Sequence, residues 1–134
     1  MAVTFIDNSE QTISAMERAV KAGLTAVGQM ASSHARQIIT AASRIDTGTM
    51  RNSIDFKVQE HTVYVGTNTS YAIYHEMGTG VYIAGGRKSP WAYKDAEGQW
   101  HWTRGVRPLH FLKNAVSNFV EEYKAIIRRF LQFG

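Results

Sequence analysis

Large apolar residues recur three or four positions apart over the first third of the chain, at Ile13, Met16, Val20, Leu24, Val27, Met30 and Ile38. That period predicts a helix over residues 9–43, with Ser9 as its N-cap. A second stripe of small residues, Ala15, Ala19, Ala22 and Ala26, runs beside the first and permits close approach of a partner. Gly23 and Gly28 each cost a helix roughly 1 kcal/mol against alanine, so a kink or break is expected near them. Unbroken, such a helix reaches ~50 Å, long for so small a domain, and projects past its own core.

Arg44-Ile45-Asp46-Thr47-Gly48 interrupts the pattern, and Asp46 or Thr47 can cap a short helical turn through Ser53. The period then falls to two. Ile54, Phe56 and Val58 alternate with polar residues, as do Val63 and Val65 after Glu60-His61, which predicts a hairpin over 54–67 ended by Gly66. Ser70 to Met77 reads as a short helix with Tyr71, Tyr74 and Met77 on one face, stopped by Gly78-Thr79-Gly80. In 81–105, Trp91 and Tyr93, then Trp100 and Trp102, flank Asp95-Ala96-Glu97-Gly98 and predict an aromatic hairpin or loop. Pro108 fits the first turn of a closing helix over 108–132. Its buried stripe is Leu112, Val116, Phe119, Tyr123, Ile126 or Ile127, and Phe130. The order specifies one α+β domain over 1–134: a long N-terminal helix, a small antiparallel sheet with two hairpins, a short central helix, and a C-terminal helix packed on the sheet.

Composition narrows the chemistry. At 134 residues the chain holds one core and needs no crosslink to fold, and it contains no cysteine, which removes disulfides, thiol catalysis and cysteine zinc sites. The opening MAVTFIDNSEQ lacks the basic-then-apolar order of a signal peptide, and no stretch has the length of a membrane span, so synthesis in the cytoplasm and no membrane partner are expected. The net charge of +4 is concentrated. Six basic residues fall between Arg87 and Lys113 against Asp95 and Glu97, and the rest of the chain balances nine of each sign. Such a patch suits nucleic acid or an acidic protein surface.

Five histidines raise the question of a metal or an acid–base centre. None share the i, i+4 spacing that sets two imidazoles on one helical face, and His75-Glu76 are neighbours that point apart. Ser53 and Ser70 lie in no G-x-S-x-G elbow, and Gly85-Gly86-Arg87-Lys88 lacks the P-loop spacing. Asp46-Thr47-Gly48 occurs once and without the flanking apolar strands of an aspartic protease, so a helix cap is the better reading. The sequence therefore predicts no enzyme, no metal and no cofactor.

Four linked segments resemble a family. Ile45-Asp46-Thr47-Gly48-Thr49-Met50-Arg51-Asn52-Ser53-Ile54 resembles the V-D-T-G-x-L-x-x-S-I element of the head–tail joining proteins, also called neck or tail-completion proteins, of long-tailed bacteriophages and prophages. Val65-Gly66-Thr67-Asn68 resembles that family's V-G-T-N. Tyr71-Ala72-Ile73-Tyr74-His75-Glu76-Met77-Gly78-Thr79-Gly80 resembles its Y-A-x-x-x-E-x-G-T-G. Arg107-Pro108-Leu109-His110-Phe111-Leu112-Lys113-Asn114-Ala115 resembles its closing R-P-x-x-F-L-x-x-A. The departures are Leu109-His110, where the family more often has a tighter Pro-Phe-Leu, and the aromatic insertion from Tyr82 to Gly105.

The resemblance implies a virion structural protein, built in the host cytoplasm and placed at the head–tail interface. It implies a ring of copies, hexamer before dodecamer, joining a head-closure protein to a tail terminator or tail tube protein around a DNA channel. Candidate contacts to partners or to passing DNA are Arg87, Lys88, Trp91, Trp100, Trp102, Arg104 and Arg107. Glu76 is expected to pair with Arg51 or Arg107 across subunits. Two other readings stay open: a nucleic-acid-binding module using residues 87–107, with aromatic platforms and basic phosphate contacts, and a related minor tail protein.

Overall fold

A computed structural model describes residues 9–42 and 47–132. The chain runs α1 (Ser9–Ala42), α2 (Thr47–Asn52), β1 (Ile54–Gln59), β2 (Thr62–Thr67), α3 (Ala72–Met77), a 3-10 turn (Gly80–Tyr82), β3 (Trp91–Lys94), β4 (Trp100–Thr103), α4 (Phe111–Ser117) and α5 (Val120–Leu131). This is the expected α+β order. Each hairpin forms its own two-stranded antiparallel ladder.

α1 runs without a break, and its glycines serve packing. A Cβ on Gly28 would fall 2.2 Å from the Phe56 ring, so β1 lies directly against the helix backbone. A Cβ on Gly23 would fall 3.0 Å from Ile127 Cδ1. The buried row steps by four through Gly23, Val27, Ala31, Ala35 and Ile39, and small side chains along it let the hairpin and α5 approach closely. The predicted stripe of large residues is therefore only partly correct. Ile13, Met16 and Met30 are exposed, and every residue from Ser9 to Arg18 is exposed.

One core cluster gathers Ala35 and Ile39 of α1 with Met50, Ile54, Ala72, Phe111 and Ala115. A second gathers Val27, Ala31 and Tyr123, with Val63, Val65 and Phe119 against it. The first hairpin follows its period of two: Phe56 pairs with Val65 and Val58 with Val63 on the face toward α1. Arg36 Nη2 donates to the Ile54 carbonyl at 2.8 Å and ties the helix to the start of β1.

Two further expectations need correction. Gly66 lies within β2 and has an ordinary negative φ, so it does not end the strand by a left-handed turn. The closing helix does not start at Pro108 and is not continuous: α4 begins at Phe111, and Asn118-Phe119 separate it from α5. The break turns the Phe119 ring onto His34, with centroids 3.6 Å apart and planes within 3°. It also deprives the Ala115 carbonyl of its helical N–H, and the buried Tyr123 hydroxyl donates to that carbonyl instead. Val116, expected inside, is 49% exposed.

A candidate assembly surface on the second hairpin

The second hairpin grows from a narrow base. The Thr79 amide donates to the Val106 carbonyl at 2.8 Å, the Val106 amide to Thr79 Oγ1 at 2.9 Å, and the Val81 amide to the Arg104 carbonyl at 2.9 Å. Backbone meets backbone here. A Cβ on Gly105, at φ +104°, would fall 2.4 Å from the Thr79 carbonyl oxygen. A Cβ on Gly78, at φ +82°, would meet Pro108 Cδ at 2.9 Å. The glycines at both positions are required on conformational and steric grounds. Thus Gly78-Thr79-Gly80 clasps the segment that ends at Pro108.

Asp95 organises the far end. Its Oδ1 accepts the amides of Glu97 and Gln99 at 2.9 and 2.8 Å, and its Oδ2 lies 2.6 Å from His101 Nε2. The His101 hydrogen bond, followed by the Gln99 amide, holds the Asp95 carboxyl below the usual carboxylate range.

Strand register sorts the aromatic residues onto two faces. Trp91 stands opposite Thr103, and Tyr93 opposite His101; Ala92 stands opposite Trp102, and Lys94 opposite Trp100. Opposed pairs share a face, so Trp91 and Tyr93 lie on one side and Trp100, Trp102 and Lys94 on the other. Trp91 turns inward, half-buried beside Gly80. Trp100 and Trp102 are 67% and 77% exposed. A shallow cleft of about 550 Å³ opens beside Trp102, lined also by Ser89, Pro90, Thr103 and Arg104.

Several cations already cover rings. Arg87 lies 4.7 Å over Trp91, Lys94 5.3 Å over Trp100, and Arg107 5.4 Å over Tyr82. The hydrogen bond and charge of Tyr82 raise the Arg107 guanidinium above its ordinary value. Arg104 and Lys88 are exposed. The expected basic and aromatic residues do share one hairpin, but they divide between its inner and outer sides.

The remaining candidates have other neighbours. Asp46 and the Thr47 side chain, expected to cap α2, lie outside the described residues. Gly48 has open space around it. Arg51 Nη1 donates to Thr40 Oγ1 at 3.4 Å, and Ser53 Oγ bonds the Met50 carbonyl and the Thr67 hydroxyl. Tyr71 and Leu112 flank the core around Ile54, Ala72 and Phe111.

Glu76 has a role within the chain that the expected salt bridge missed. Its Oε2 and Oε1 accept the amides of Leu112 and Lys113 at 2.8 and 2.9 Å. It therefore caps α4 from 36 residues away, where His110, left-handed at φ 52°, gives no side-chain cap. No local spacing signals a cap across that distance.

Among the described residues no group of histidines and carboxylates could hold a metal ion, and no helix is long and apolar enough to cross a membrane. No curated protein and no solved structure matches the chain. One family profile does, described as "Bacteriophage HK97-gp10, putative tail-component", over residues 5–78. The match takes in α1, α2, the first hairpin and α3, and it stops at Gly78, where the clasp of the second hairpin begins. More than half of the sequence is matched, and the chain belongs to this family of phage tail components, which are structural proteins of the particle.

Proposed function

We propose that the protein is a subunit of the phage head–tail connector, a neck or tail-completion protein that assembles into a ring around a channel for DNA. Membership of the tail-component family supports a place in the particle. The observation that carries the assembly reading is the surface: Ile13 and Met16 exposed on the first turns of α1, and two exposed tryptophans on a clasped hairpin. Two neighbouring, largely exposed tryptophans on one hairpin face are the kind of apolar surface that marks a contact site. A hexamer fits tail symmetry best, with a dodecamer matching the portal as second choice. The partners are a head-closure protein on one side and a tail terminator or tail tube protein on the other.

Native mass measurement of the pure protein, alone and with these partners, tests the ring. Deleting the gene from its phage or prophage tests the place: full heads and separate tails are expected to accumulate. A strict monomer whose loss leaves particles joined overturns the reading.

A second reading draws on Lys94 beside Trp100 on the outer face: the hairpin stacks single-stranded nucleic acid. It requires salt-dependent oligonucleotide binding that Trp100→Ala removes.

A further inference from the structure

We infer that the outer face of the second hairpin on one copy seats against the exposed amino-terminal stretch of α1 on the next copy. This rests on the ring reading and names the contact that would build the ring.

The two surfaces belong to different parts of the fold, and the second hairpin is not packed along α1. The hairpin is tied to Thr79, directly after α3, and so lies near the end of α1 that buries Ala35 and Ile39. The middle of the exposed stretch is about 35 Å further along the helix axis. Two different patches that fit each other make a heterologous contact, which closes into a ring when the rotation allows.

Their chemistry is complementary. On α1, Glu10, Ile13, Met16, Glu17 and Val20 share one helical face, two carboxylates beside apolar side chains, with Lys21 at its edge about 80° round from Ile13 and Arg18 about 140° round. Glu17 and Val20 also line a cleft with Glu60 from the tip of the first hairpin, Lys21 among them. The facing surface offers Trp100 and Trp102 with Lys94 and Arg104, the last beside Trp102 in the open cleft. Tryptophans in such a position are the usual anchors of an interface, and surrounding charges of opposite sign set its direction.

Charge also rejects another docking place. The apolar groove between α1 and α5, lined by Leu24, Val27, Val116 and Val120, carries Lys124 and Arg128, the same sign as the hairpin.

A mixing experiment on the full chain tests this. Ile13 is 55% and Trp102 77% exposed, so Ile13→Asp and Trp102→Ser leave the core intact, which circular dichroism verifies. Each variant alone is expected to self-associate about tenfold or more weakly than the wild type. Mixed, the intact helix of one meets the intact hairpin of the other, and heterodimers form that grow no further. Ile13→Asp chains that still pair with themselves, or a mixture that stays monomeric, overturn the contact. A wild-type chain monomeric at high micromolar concentration does so too, with the ring reading then decided by the particle assay. Rings that tolerate both substitutions overturn the contact and leave the ring standing. An unchanged oligomer with oligonucleotide binding lost in Trp102→Ser assigns the face to nucleic acid and also overturns the contact.

Discussion

The carboxylate of Glu76 holds the Leu112 amide at 2.8 Å, so one acidic side chain on α3 closes the open end of α4. Two free amides and the positive pole of a helix are satisfied by a residue from another element. Glu76→Ala is expected to destabilise the fold by about 1–2 kcal/mol, the usual cost of a lost N-cap, read as a lower denaturation midpoint. Glu76→Gln keeps an acceptor without the charge and should fall between. A variant as stable as the wild type would contradict the capping role.

Gly28 and Gly23 predict different outcomes for one substitution. Alanine at either position gains roughly 1 kcal/mol of helix propensity. At Gly28 the new methyl meets the Phe56 ring at 2.2 Å, and a net loss of about 1–3 kcal/mol is expected. Phe56→Leu in the Gly28→Ala background should recover part of it. At Gly23 the methyl meets the mobile end of Ile127 at 3.0 Å, so Gly23→Ala should be close to neutral in the same denaturation assay.

Tyr123 should ionise late. Burial, then the charge of Glu122, pushes its phenol up to about 12. The raised value means the fold favours the neutral phenol. Its contribution is complete below the unfolded value near 10 and is lost as pH rises through about 12. Absorbance titration of the tyrosines should show one late step, absent in Tyr123→Phe. That variant also loses the donor to the Ala115 carbonyl, at about 1 kcal/mol.

Asp95 acts at the opposite end of the pH scale. Its folded value is depressed, so the hairpin tip is fully supported above the ordinary carboxyl value of 3.8 and loosens as pH falls through the lower folded one. Indole resonances of Trp100 and Trp102 should move in that acid window. Asp95→Ala should move them at neutral pH and leave the midpoint of global unfolding unchanged, because the turn is solvent-exposed.

Much of this architecture was legible from periodicity. The period of two over Ile54–Val65 located the first hairpin and its inner face, and Trp91 to Trp102 located the second. The seam of α1 was less visible. Its packing row is made of Gly, Ala and Val, while Ile13 and Met16, the residues that look buried, are exposed. Hydrophobicity alone does not reveal when closeness of approach matters more than side-chain size. The division of α4 from α5 was hidden too. It depends on Phe119 finding His34, and a pairing 85 residues apart leaves no trace in local spacing. At the candidate surface, residue types were readable and facing was not, because facing follows from the pairing of Lys94 with Trp100.

The clasp at Thr79 and Val106 has a consequence for how this protein can change. A whole hairpin leaves and rejoins the chain through a pair of bonded neighbours, so its length and sequence can vary with little strain on α1, the first hairpin or α4. The framework and the hairpin are thereby free to evolve at different speeds. Rewriting that one cassette would leave the scaffold beneath it to fold as before.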